Sequence, residues 1–412
     1  MMEWLTIVFL IYSFLAFYFL FLFFLIYIHN RKEFFEVPPI TKRYTLSIVI
    51  PCYNEQETIE KTIKSVLEVG YSELKKVFVV DDCSTDNSYE IIKKLASKYP
   101  MVVALQTPKN TGKASGAKNY GAKFVKTDLV GFSDADSYPQ KGAIEKMIGF
   151  FDDAKVGAVT ASVLVNSDNK FIERLQAIEY RVIVFTRKLL GFVDAIYVTP
   201  GPLALYRKSV FDSLGGFDEE NLTEDIEITW HFVSAGYKVA MAVPAKAYTD
   251  VPQNFKGWFR QRLRWNVGGL QTIKKYRGAF REKGMLGYFI LPFFVSSWLL
   301  GITGLFIIMY RLFKFIFVNY LSTLYSIRVQ TTILSFQDIN LAPNILMFFG
   351  VILFFLGLSF TFLALIYSRD SERKFKKYGI LGLSVYMFIY LLAYPVILIV
   401  SMYQYLTKRY SW

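Results

Sequence analysis

Four stretches of this chain are long, apolar and uncharged: Trp4 to His29, Met285 to Tyr310, Leu341 to Ser368 and Gly379 to Thr407. A helix needs about 20 residues to cross a bilayer, and each stretch meets that length. Backbone polar groups cannot stay unpaired in hydrocarbon, so each is expected to span a membrane as a helix. The first is too long for the core of a signal peptide, and no small-residue cleavage site follows it, so it is expected to stay as an anchor. Cations gather on the inner side of membranes. Arg31, Lys32, Lys42 and Arg43 follow the first stretch; Arg369, Arg373, Lys374, Lys376 and Lys377 fill the link between the third and fourth. Both segments are expected in the cytoplasm. The chain then divides into an N-terminal helix (1–30), a cytoplasmic domain (31–284) and three C-terminal helices (285–412), as a multi-pass protein of the cell membrane.

Composition agrees with a lipid-facing part: 53% of residues are apolar, with 39 Phe and 28 Tyr. The net charge of +13 fits anionic lipid and an anionic substrate. No zinc-finger or RNA-binding signature occurs, so no nucleic-acid partner is expected. The two cysteines, Cys52 and Cys83, have the spacing of neither a zinc site nor a redox pair. Each borders an apolar run and is expected to be buried. Only His29 and His231 are histidines, which argues against histidine-based metal catalysis.

Between the first two membrane segments, strand-like and helix-like patterns alternate. Leu46–Ile50, Val77–Val80, Val102–Leu105 and Leu129–Phe132 read as short strands. Glu57–Val69 and Ser88–Lys98 read as helices. This alternation predicts an α/β domain with a mostly parallel sheet, whose ligands bind beyond the carboxyl ends of the strands.

The polar clusters sit at those ends. Pro51-Cys52-Tyr53-Asn54-Glu55 follows the first strand, and Asp81-Asp82-Cys83-Ser84-Thr85-Asp86 the second. Each can be a helix cap; together they point to one nucleotide pocket. Gly112-Lys113-Ala114-Ser115-Gly116 is either a turn or a flexible loop whose cation meets phosphates. Ser133-Asp134-Ala135-Asp136 is either a solvated turn or a hard-oxygen site for Mg²⁺ or Mn²⁺ shared with phosphate. In Leu222-Thr223-Glu224-Asp225-Ile226 the acids can stabilise a helix start, and one can also take a proton from an attacking hydroxyl. Phe255 to Arg281 mixes aromatics and cations, and reads as an amphipathic helix on the inner membrane surface. In that reading Phe255, Trp258 and Phe259 enter the interface, while Arg260, Arg262, Lys274 and Lys275 meet anionic head groups.

The order of these motifs resembles that of the membrane-bound processive members of glycosyltransferase family 2, the cellulose, chitin, hyaluronan and poly-N-acetylglucosamine synthases. The shared pattern is an Asp after the second strand (Asp82), Asp-x-Asp (Asp134, Asp136), Thr-Glu-Asp (Thr223–Asp225) and Gln-x-x-Arg-Trp (Gln261–Trp265). The resemblance runs from about Thr45 to Leu270. It implies a GT-A-type nucleotide-sugar-binding fold and an inverting single displacement, while the four apolar stretches give a helical transmembrane region of about four helices, fewer than some processive relatives have. It further implies that Asp82 contacts the base, with Pro51, Tyr53 and Glu55 shaping the same pocket and Lys113 near the nucleotide. Asp134 would face the ribose and Asp136 a divalent metal, Mg²⁺ or Mn²⁺. Asp225 would be the general base, and Gln261, Arg264 and Trp265 would hold the pyrophosphate and the acceptor end. One departure is Lys118, which stands before Asn119 where the family more usually has an apolar residue.

The activity so implied is transfer from UDP-N-acetylglucosamine or UDP-glucose to the end of a growing polysaccharide. The alternative is addition of a single sugar to a membrane lipid. Expected partners are the nucleotide-sugar donor, a polysaccharide or lipid acceptor, membrane lipids, and a partner subunit or second copy. The intact acidic set argues against an inactive membrane scaffold.

Overall fold

A computed structural model describes residues 4–282, 284–330, 345–368 and 380–409 of the 412. In chain order the elements are α1 (Trp4–Asn30), β1 (Leu46–Cys52), α2 (Ile59–Leu67), β2 (Leu74–Asp81), α3 (Ser88–Lys98), β3 (Val102–Gln106), α4 (Ala114–Ala122), β4 (Leu129–Phe132) and β5 (Ser137–Pro139). There follow α5 (Glu145–Ile148), β6 (Val156–Val165), α6 (Phe171–Gly191), β7 (Ala204–Arg207), α7 (Lys208–Ser213), α8 (Glu224–Ser234), β8 (Lys238–Thr249) and α9 (Phe255–Tyr276). The last are α10 (Leu291–Val329), α11 (Ile345–Tyr367), α12 (Ile380–Val385) and α13 (Leu391–Thr407).

The strands form one sheet among the described residues, in the order β3-β2-β1-β4-β7-β6-β8-β5. β1 pairs in parallel with β2 and β4, β2 with β3, and β6 with β8. β7 runs antiparallel between β4 and β6, and β5 antiparallel to β8. Every residue of β1 (LSIVIPC) and of β6 (VGAVTASVLV) is buried. Such runs, apolar on both faces, suit strands covered by helices on either side. Alternate residues of β1 divide accordingly: Leu46, Ile48 and Ile50 enter one apolar cluster and Val49 the other. Helix α2 buries Ile59, Thr62, Ile63 and Val66, the i, i+3, i+4, i+7 stripe of a helix lying on a sheet.

The chain passes from β1 outward to β2 and β3, then returns to β4 on the other side of β1. Strand order reverses there, and the reversal opens a crevice at the carboxyl ends. Two residues leave the strand ends in left-handed backbone conformations, Asn54 (φ 55°) and Cys83 (φ 60°). Asn54 tolerates this better than most residues, and its side chain also ties the two turns together. Its amide donates to Ser84 Oγ (3.0 Å), and its Oδ1 accepts from the Thr85 amide (2.8 Å). Cys52 is buried as expected, whereas Cys83 is only partly so and faces the crevice.

Four helical segments among the described residues are long and apolar enough to cross a membrane: Thr6–Asn30, Leu286–Val329, Met347–Tyr367 and Leu381–Thr407. The second runs well past the expected end at Tyr310. No Gly or Pro interrupts the chain between Arg311 and Val329, so nothing stops the helix where the charges begin. The basic link from Arg369 to Lys377 lies outside the described residues. Membrane helices and the α/β layer share a core: Phe23 and Ile26 of α1, Phe185 and Leu189 of α6, Leu291 of α10 and Ala364 of α11 join one buried cluster.

Helix α9 departs from the expected interfacial pose. Trp258 and Arg262 are buried in protein, at 0% and 1% exposure, rather than facing lipid. The Trp258 indole donates to the Tyr390 hydroxyl at 2.5 Å, and Arg262 pairs with Glu179 of α6. Lys275 is likewise engaged, with Asp218 (2.6 Å) and Glu227 (2.7 Å). The physical reason is α13, which packs along α9 and occupies the face that lipid was expected to cover. Phe255, Arg260 and Lys274 remain exposed.

Candidate active site

Two cavities meet at the carboxyl ends of the central strands. The larger, about 760 Å³, is walled by Pro51, Tyr53 and Glu55 after β1, Asp82 after β2, Lys113 before α4, Asp134 and Asp136 after β4, Glu224 and Arg264. The smaller, about 260 Å³, is walled by Asp225, Gln261, Trp265, Asp250 and residues of α6. Asp134, Asp136 and Arg264 line both. Every residue that the family resemblance gave a donor, metal, base or acceptor role therefore comes to one of two adjoining spaces.

The first space is held by short local bonds. Both carboxylate oxygens of Asp82 are used: Oδ1 accepts from Thr107 Oγ1 (2.7 Å) and Oδ2 from Thr111 Oγ1 (2.7 Å), which fastens the loop before α4. Lys113 Nζ donates to the Glu219 carbonyl (2.7 Å) at the rim. Asp134 donates its amide to the Gly201 carbonyl (3.1 Å). A β-carbon on Gly201 would lie 2.1 Å from Asp134 Oδ2, so only glycine allows this segment against the carboxylate.

Asp136 accepts from Ser137 Oγ (3.1 Å). Burial, then the charges of Asp134, Glu55 and Asp250, push its carboxyl up to about 7. A concentration of carboxylates that resists ionisation is a place short of positive charge. Its donors are all hard oxygens, which suits Mg²⁺ or Mn²⁺. Among the described residues no group of three or more His, Cys, Asp or Glu is placed to cage a metal alone. An ion here would need phosphate and water oxygens to complete its shell, as Mg²⁺ usually does.

Two residues that the sequence reading did not place in the site organise its centre. Lys118 on α4 has 2% of its side chain exposed and pairs with Glu224 Oε1 (2.8 Å) and Asp134 Oδ1 (3.0 Å). Burial disfavours its ammonium, yet Asp134 and Glu224 outweigh that and hold it above the usual lysine range. Lys118 in turn holds Glu224 below the usual carboxylate range against its burial. Asp250 follows β8 as Asp134 follows β4, and its oxygens accept from Tyr138 (2.7 Å) and Asn166 (2.7 Å). An acid directly after a strand was the signal that could have found it.

Glu224 and Asp225 are neighbours with different environments. Glu224 is locked to Lys118; among the described residues the Asp225 side chain accepts only from the amide of Ile226 (2.9 Å), and it lines the second cavity. Burial, then the charge of Glu224, raise Asp225 to about 6, against the lowering pull of Lys118 and Arg264. The turn that carries both acids is clamped by α9. Asn221 Nδ2 donates to Thr272 Oγ1 (2.9 Å), the Leu222 amide to Gln271 Oε1 (2.9 Å) and Arg264 Nη1 to the Leu222 carbonyl (3.2 Å). Trp265 lies beneath the Arg262 guanidinium, 4.2 Å from its ring centre. A general base at Asp225, raised to about 6, would give a testable pH dependence. It works only as the carboxylate, so turnover at saturating donor should fall roughly tenfold per unit as pH drops below about 6. A rate profile flat to about pH 5 would exclude Asp225 as that group.

Residues 47–215 match the family model described as Glycosyl transferase family 2. The chain is 32% identical over 231 residues to the poly-beta-1,6-N-acetyl-D-glucosamine synthase of Staphylococcus aureus (strain COL), covering 55% of each protein. It is 31% identical over 251 residues to the synthase of the same name from Staphylococcus epidermidis, covering 60% of each. The chain thus spans a little over half the length of these relatives. The mannosyltransferase PcManGT from Pyrobaculum calidifontis, solved in complex with GDP-Man and Mn2+, superposes with a TM-score of 0.60 at 17% identity, over 97% of this chain and 99% of that one. This likeness over nearly the whole length is a likeness of fold, with a GT-A-type sheet and flanking helices. The protein therefore carries a glycosyltransferase family 2 domain over residues 47–215, on a GT-A-type fold.

Proposed function

We propose that the protein is an inverting glycosyltransferase that moves a sugar from a nucleotide-sugar donor, UDP-N-acetylglucosamine or UDP-glucose, to a hydroxyl presented at the membrane. One observation carries this reading: two cavities meet at Asp134, Asp136 and Arg264, with the first lined by strand-end acids and the second by Asp225. The donor occupies the larger space, its base toward Asp82 and its diphosphate toward Lys113 and Arg264. The acceptor enters the smaller one between Asp225 and Trp265. Its hydroxyl oxygen attacks the anomeric carbon while its proton passes to Asp225. The bond from that carbon to the diphosphate oxygen breaks, and the electron pair leaves with the nucleoside diphosphate. A divalent metal, held by Asp136, would neutralise charge that gathers on the leaving diphosphate. Arg264 adds a fixed cation beside the same group.

The first reading of the acceptor is the end of a growing polysaccharide, by similarity to the poly-beta-1,6-N-acetyl-D-glucosamine synthases. The second is a membrane lipid. It is favoured by the position of the smaller cavity, whose wall residue Tyr197 stacks edge-on against Phe294 of α10 at 4.8 Å. In both readings the domain from 31 to 284 lies on the cytoplasmic side of the cell membrane, between the first and the last three spanning helices. Asp136→Asn tests the donor half of the account. It should keep the fold and lose most turnover, because a neutral amide holds a divalent ion poorly. Full activity of this variant in the presence of chelator would contradict the role given to Asp136.

A further inference from the structure

The smaller cavity contains a cation that the transfer reaction does not use. Tyr180, Ile183 and Arg187 stand at i, i+3 and i+7 on α6 and face the cavity as one stripe. Arg187 is only 5% exposed, and its Nε and Nη1 have no hydrogen-bond partner among the described residues. A buried guanidinium with open donors is costly unless an anion arrives to pair with it. The donor cannot supply that anion: its diphosphate belongs to the larger cavity, which Arg187 does not line. Asp225 lines the same 260 Å³ space as Arg187, so an anion at Arg187 lies within one head group of the attacking hydroxyl. The remaining walls include Val163 and Val198, and Tyr197 lies against Phe294 of a membrane helix.

We propose that Arg187 recognises the phosphate of the acceptor, and that the acceptor is a membrane lipid carrying a phosphate beside the hydroxyl that is glycosylated. This rests on the lipid-acceptor reading above. Arginine suits the task because its N–H groups meet phosphate oxygens in charge-assisted bonds and its charge does not depend on pH. The apolar wall takes the glycerol and the first methylenes, while the phosphate satisfies the open nitrogens. Burial holds the Arg187 guanidinium below its usual range, against the opposing pull of Tyr197, Asp225 and Tyr180.

The test uses the full chain in phosphatidylcholine nanodiscs. Donor binding is measured first, then transfer of labelled sugar to phosphatidylinositol or phosphatidylglycerol, set against diacylglycerol as the neutral hydroxyl lipid. At least one anionic lipid should be glycosylated roughly tenfold or more faster than diacylglycerol, the worth of one charge-assisted hydrogen bond. Arg187→Met should erase that preference with donor affinity unchanged, which also reports that the variant is folded. Arg187→Lys should keep part of it. Equal rates on the three lipids, no transfer to any of them, or a preference that survives in Arg187→Met would each overturn the proposal. Polymer formed in neutral lipid alone would do the same while leaving the polysaccharide reading in place. If the wild type binds no nucleotide sugar, the glycosyltransferase reading itself fails, and this proposal with it.

Discussion

Asp225→Asn is expected to bind donor with near-wild-type affinity and to transfer sugar slower by roughly 10²–10⁴, the usual worth of a general base. The asymmetry follows from where the two acids point. Glu224 lines the larger cavity and is ion-paired with Lys118, so it is charged and already committed. Asp225 lines the smaller cavity and is raised to about 6 by burial and by Glu224. It can therefore both lose a proton near neutral pH and accept one from a hydroxyl. The carboxamide keeps the size and loses the basicity, so binding should persist while chemistry fails. Calorimetry with donor, paired with single-turnover transfer, separates the two. A collapse of donor affinity would instead make Asp225 a donor ligand and send the search for the base to Glu224.

Lys118→Met is expected to cost about 3–5 kcal/mol of stability, the range for removing one member of a buried ion pair, and to abolish transfer. The variant leaves Asp134 and Glu224, the latter 13% exposed, facing each other without the ammonium that pairs with both. Two consequences follow. Asp134 loses the ion pair at its Oδ1, and Glu224 loses the main partner that keeps it ionised. Adding Glu224→Leu to Lys118→Met should recover a large part of the stability, because it removes the more buried acid and leaves only Asp134, whose side chain is 35% exposed, and should recover none of the activity. Denaturation midpoints of the three proteins in one detergent measure this. A Lys118→Met single variant as stable and as active as the wild type would show that the lysine neither holds nor tunes the acids.

The contrast between these two residues marks what could be read from the chain. Strand β4 and helix α3 fall where the sequence places them, since the residues between Leu129 and Phe132 are continuously apolar and Ser88–Lys98 repeats its apolar face at helical spacing. Asp82, Asp134 and Asp136 were legible for a related reason. A carboxylate directly after a buried strand is delivered to the carboxyl edge of the sheet, whatever the rest of the fold does. Lys118 was visible only as a departure before Asn119. Its partner Glu224 is 106 residues away, and no local pattern states that the two meet. The pair of Arg262 with Glu179, 83 residues apart, was hidden in the same way. For Trp258 the pattern itself was ambiguous. Aromatics and cations on one helix suit an anionic lipid surface, and they suit equally the tyrosines of a packed membrane helix. Tyr390 and Tyr394 take that place here.

Offering the purified full chain in lipid nanodiscs a panel of radiolabelled UDP-N-acetylglucosamine, UDP-glucose and GDP-mannose, with Mg²⁺ or Mn²⁺, tests the central claim most directly. One UDP-sugar should be consumed, one nucleoside diphosphate released per sugar transferred, and the new bond should have the anomeric configuration opposite to the donor's. Consumption of no donor, or a product that keeps the donor's configuration, would contradict a single displacement driven by Asp225.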